Sequence, residues 1–261
     1  MSNSDVTRTS INGTYTAHCS SSLATQVQAY IDAVDERFPL LKSCFGMEPQ
    51  IDRYTVSFGS QGACYGPGGK IWLSSDEPNL GRSAPDCFDG GLIFETIHGF
   101  LEPLRHPPNG YDESRIGENR LGESFSTIIE IDFLNRVGAV RAAKRHREGA
   151  GMHEYHHPLL FALVEIYDSH QIEAFRKLFS FVDKEGKSGT LLFSVEKYGQ
   201  ENRDPYDQIY MGRLAEVFQA SAGIDVVNIL HKYVGLWLAR SGRAAQLNVS
   251  GAADKAANLM R

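Results

Sequence analysis

Between Gly91 and Arg105 the chain sets Glu95, His98 and Glu102 three and four residues apart, in a stretch otherwise filled by Ile93, Ile97, Phe100, Leu101 and Leu104. On a helix such spacing gathers the three polar side chains on one face and leaves apolar cover around them. A helix this apolar is expected to be buried, and a buried ionised carboxylate is costly unless it is paired or bound to a metal. Whatever fold the chain adopts must therefore bring something to this stripe. A satisfied polar pair in a cleft meets that demand, and so does a ligand site.

Earlier segments divide into one helix and two strands. Leu23, Val27, Tyr30, Ile31, Val34 and Phe38 recur at three and four, which predicts an amphipathic helix from Ser22 to Phe38. The serines at 20–22 suit its N-cap and Pro39 its end. Tyr54, Val56 and Phe58 alternate with Arg53, Thr55 and Ser57, which predicts a half-buried strand. The glycines and proline of residues 61–69 demand a turn, and residues 70–75 read as a second strand closing a hairpin.

Beyond residue 110 the pattern is helical. Helices are expected at Glu118–Val140, Pro158–Tyr167, Ile172–Val182, Asp207–Ala220 and Ile224–Arg240, with Gly223 as a stop and Asp225 in a first turn. Strands early and helices late make the class α+β, with a small sheet and the Glu95–His98 helix in an N-terminal lobe and a mainly helical C-terminal lobe. The expected organisation is a flexible tail over 1–15, the α+β lobe over 16–110, the helical lobe over 111–245 and a flexible tail over 246–261.

Hydrophobic residues at 42% and charged residues at 22% are ordinary for a globular chain and argue against wholesale disorder. A net charge of -6 gives no basic footprint for nucleic acid or an anionic membrane. The basic run Arg141–Arg147 reads as a solvated helix C-terminus. No stretch approaches about 18 uninterrupted apolar residues, and no signal-peptide core is present, so a cytoplasmic location is expected. Cys19, Cys44, Cys64 and Cys87 form no C-x-x-C pair and are expected to be reduced.

The register Phe94-Glu95-Thr96-Ile97-His98 matches an H-E-x-x-H motif with phenylalanine at its first histidine. In that motif two histidines one turn apart bind zinc and the glutamate polarises the attacking water. With Gly90–Phe100, the preceding residues 63–75, and Glu123 opening a later helix, the chain resembles the gluzincin-type zinc metallopeptidases from about Ser22 to Trp237. The resemblance implies Glu95 as general base, with His98 and Glu123 as metal ligands. It leaves the first histidine ligand without a counterpart, because Phe94 cannot bind a metal.

Substitutes for that ligand are at hand. Residues 152–158 hold His153, Glu154, Tyr155, His156 and His157, formally a second H-E-x-x-H, flanked by Gly149, Gly151 and Pro158. As a loop they could supply a ligand from His153, His156 or His157, or a proton donor from Tyr155. Glu102, four residues after His98, offers a shifted His/Glu/Glu set, and oxygen-rich ligation admits iron or manganese beside zinc. Three functions follow as expectations. One is a metal-dependent hydrolase of peptide or small amide substrates. A second is a pseudoenzyme of the same fold that binds a peptide or protein. A third is a di-metal carboxylate protein using Glu95/His98 and Glu154/His157 with Glu36 and Glu123.

Overall fold

The computed structural model describes residues 5–49, 51–59, 62–105, 116–152, 157–186 and 208–235. The class is α+β, with a five-stranded sheet and helices after it. The chain divides into two compact units, Met1–Glu102 with Ile129–Arg145, and Pro103–Ile128 with His146–Arg261. This differs from a single cut near residue 110, because a later segment returns to the first unit.

The first unit is built on strands β1 (Asp5–Thr9), β2 (Tyr15–Ser20), β3 (Tyr54–Gly59), β4 (Cys64–Gly66) and β5 (Lys70–Ser74) in the order β1-β2-β3-β5-β4. β2, β3 and β5 run parallel, and β1 and β4 close the two edges antiparallel. Helix α1 (Ala24–Phe45) makes the crossover that a parallel β2–β3 pair requires. Tyr15, Ala17, Cys19, Tyr54, Val56, Phe58, Ile71 and Leu73 bury one face of the sheet. On this face lie α1 and α2 (Leu92–Arg105). Phe38 of α1 touches Tyr15, Tyr54 and Phe100 of α2, and Phe100 stacks on Phe45 at 4.7 Å. Each fully buried side chain of this size contributes about 1.5–3 kcal/mol.

The structure corrects five expectations. Residues 5–9 form an edge strand instead of a loose tail, and its polar outward residues carry no apolar alternation to announce it. Strands β3 and β5 are parallel, not a hairpin. The glycine-rich stretch between them holds β4, and a turn with Gly68 and Gly69 at φ 75° and 76° joins β4 to β5. Helix α1 runs through Pro39 to Phe45. Pro39 is on the exposed side, while Phe38, Leu41 and Phe45 continue the buried stripe, so packing outweighs the lost hydrogen bond. The serines before α1 make no side-chain cap; Ser20 and Ser22 bond each other at 2.9 Å.

Helices α3 (Ile116–Arg136) and α4 (Val140–Arg147) follow. From Ile129 onward α3 belongs to the first unit, where Phe133 meets Phe88 edge-on at 5.7 Å. In the second unit α5 (His157–Gly186), α6 (Gln208–Ala222) and α7 (Val227–Leu230) continue the chain, with a π-helical turn at His231–Gly235. Phe125 packs on Phe175 and Phe179, and Phe175 on Phe218, forming that unit's aromatic core. Gly223 ends α6 at φ 70° with its N–H on the Gln219 carbonyl, as the sequence predicts, whereas Asp225 precedes the next helix instead of sitting in its first turn and accepts the Val227 N–H at 3.0 Å. Among the described residues no helix is long and apolar enough to cross a membrane.

Candidate functional site

Helix α2 holds its position through contacts at both ends of its first turns. Glu130 Oε1 of α3 accepts the Gly90 N–H just before the helix at 2.8 Å, and the Tyr30 hydroxyl oxygen of α1 accepts the Leu92 N–H, a donor the helix start leaves unpaired, at 3.1 Å. Thr96 donates to the Leu92 carbonyl and shares a hydrogen bond of 3.1 Å with the Tyr15 hydroxyl. Burial drives both the Tyr15 and Tyr30 phenols far above the ordinary tyrosine range, so both remain neutral. Gly99 lets Tyr54 lie against the helix: a Cβ there would stand 2.6 Å from Tyr54 Cε1.

Ile93, Ile97, Phe100 and Leu101 are buried, as the periodicity requires. Glu95 and His98 are buried too, at 5% and 3% exposure. Phe94, one turn before His98, sets its ring perpendicular to the imidazole with centroids 4.8 Å apart. The Tyr65 ring of β4 lies 6.3 Å from the same imidazole, tilted by 36°. Cys64, next to Tyr65, is exposed; partial burial of its sulfur raises the thiol's pKa, and the Glu95 carboxylate adds to the rise. The site is thus an imidazole with two aromatic rings near it and a carboxyl group one turn away, beside the edge strand β4.

Glu123 is half-buried on α3 in the second unit. His157 opens α5 in that unit, where its Nε2 bonds the Gly149 carbonyl at 3.1 Å and its ring packs on Phe161. His153, Glu154, Tyr155 and His156 lie outside the described residues, as does the Glu102 side chain. Glu36, named for the di-metal reading, points to solvent from α1, and a sheet occupies the place that reading gives to helices. The four cysteines are separate free thiols.

A mononuclear zinc site takes at least three protein ligands. Among the described residues no three His, Cys, Asp or Glu side chains converge to hold a metal. At α2 itself the described donors are His98 and Glu95, and an aromatic ring fills the position of the first ligand. The described residues therefore do not fit a peptidase zinc site.

Sequence reasoning missed Tyr65, Tyr30 and Glu130. Tyr65 was hidden in a stretch read only as a turn. Glu130 did leave a signal, being a lone acid within the apolar run 128–131. No protein-family model matches the chain, and no curated protein and no solved structure matches it.

Proposed function

We propose that this chain is a metallopeptidase-like protein whose α2–β4 site binds an extended peptide without hydrolysing it. The observation that carries this reading is the Phe94 ring packed on His98 at 4.8 Å, one turn away, in the register of the missing histidine. An aromatic ring there fills the space a ligand would use and supplies an apolar contact instead. Strand β4 supports the same reading. It ends the sheet order, so one of its edges carries no strand pairing among the described residues, and such an edge accepts an extended peptide through main-chain hydrogen bonds. Tyr65 shares the sheet face of Ile71, the face on which α2 lies, so side chains of an added strand would alternate toward α2.

Trp72, paired with Cys64 across β5 and β4 and partly exposed, offers a reporter for the test. Its emission should change on titration with an extended peptide. Phe94→Ala and Tyr65→Ala should each weaken that binding about tenfold, roughly 1.4 kcal/mol. Binding that neither substitution alters would reject the site.

A second reading is a hydrolase of peptide or amide bonds with an altered metal set of zinc, iron or manganese. What favours it is the retention of both Glu95 and His98 in buried positions. One metal per chain in the purified protein, with cleavage lost in Glu95→Gln, would establish it over the first.

A further inference from the structure

We propose that Glu77 is a proton-held latch on the start of α2: neutral, it locks the segment that leads into the helix, and ionised, it releases it. The inference concerns the conformation of the first unit and does not rest on peptide binding.

Glu77 follows β5 in a loop and is 7% exposed. Its Oε1 accepts from Asn79 Nδ2 at 2.9 Å, and the same amide nitrogen donates to the Asp89 carbonyl at 2.8 Å. Gly91 lies directly against the carboxyl. A Cβ on Gly91 would stand 2.6 Å from Glu77 Oε1 and 3.0 Å from the Tyr30 hydroxyl oxygen. That oxygen in turn holds the Leu92 N–H. One carboxyl, one amide and one phenol thus close over residues 89–92, from which α2 departs.

The surrounding charges do not neutralise Glu77. From α1 the neighbour is Tyr30, a neutral phenol. Within its own loop Arg82, which is exposed, favours ionisation, and Asp76 opposes it to a smaller extent. Cys87 follows in the 3-10 turn Asp86–Phe88, with its own thiol raised chiefly by burial. From α3 comes another carboxyl, Glu130, on the Gly90 N–H. From α4 Arg145 comes in but pairs with Asp89. Among the described residues no ion pair is made by Glu77. A carboxyl this buried and without an ion-pair partner favours its protonated form more than a solvated glutamate does. Burial is the leading cause holding its pKa above the ordinary glutamate value, and the Asn79 bonds oppose it.

The folded protein holds the proton more tightly than the unfolded chain does. The latch's contribution is fully present below the ordinary glutamate pKa and is lost as pH rises through the folded value. Two measurements on the full chain test this. Thermal unfolding of Glu77→Gln, which keeps the shape and the acceptor without the acid, should show a midpoint above wild type at pH 8 by ~3 °C, narrowing to no difference at pH 4. A constant offset at all pH values would overturn the proposal. In wild type, amide hydrogen exchange corrected for intrinsic rates should show residues 90–95 losing protection between pH 5 and 8 while residues 54–58 of β3 keep theirs. Equal protection of residues 90–95 at both pH values would also overturn it.

Discussion

Phe94 and His98 stand one helical turn apart on α2 with their rings perpendicular and 4.8 Å between centroids. The contact makes a direct chemical prediction. Phe94→His would place two imidazoles at the i, i+4 spacing that binds zinc, beside Glu95. Zinc affinity measured by competition with a chelating dye should rise at least tenfold over wild type, about 1.4 kcal/mol. No rise would mean that residue 94 does not face the same space as His98.

Gly99 tests how tightly α2 seats on the sheet. Alanine in a helix interior is favoured over glycine by about 1 kcal/mol. Here the added methyl would stand 2.6 Å from Tyr54 Cε1, and Tyr54 is fixed by stacking on Tyr15 at 5.6 Å and by Phe38. Overpacking of this kind costs about 1–3 kcal/mol. Gly99→Ala should therefore lower stability in urea denaturation despite its helix propensity. An increase would show that Tyr54 can move aside.

Gln171 carries backbone strain in the second unit. Its φ of 58° and ψ of -176° interrupt α5 in a region that side-chain-bearing residues rarely adopt. Such a conformation costs about 1–3 kcal/mol. Gln171→Gly should raise the thermal midpoint, and Gln171→Ala should not. Identical midpoints for the two variants would remove strain as the explanation.

The site helix was legible in the sequence because its apolar residues recur at helical spacing with few interruptions. The expected Gly91–Arg105 became Leu92–Arg105. The expected break between Tyr167 and Ile172 corresponds to the non-helical Gln171, and Gly223 ends α6 as its position suggested. Strand β1 was not legible, because a two-residue period needs an apolar face and Asp5, Thr7 and Thr9 have none. Parallel pairing of β3 with β5 was not legible either, since alternation reveals which face a strand buries but not which strand it meets. Glu95 and His98 could be found as a helical stripe. Tyr65, Tyr30, Glu77 and Glu130 reach α2 from four other segments, and only the folded chain brings them there.

On the reading proposed above, α2 and β4 hold a peptide without cutting it. Its most direct test incubates the full chain, loaded with excess zinc at neutral pH, with a mixture of extended peptides, and analyses the bound and free fractions by mass spectrometry. Retained peptides of unchanged mass are expected, with retention lost in Phe94→Ala. Cleavage products that vanish in Glu95→Gln and on chelation would contradict it and make the site a working hydrolase.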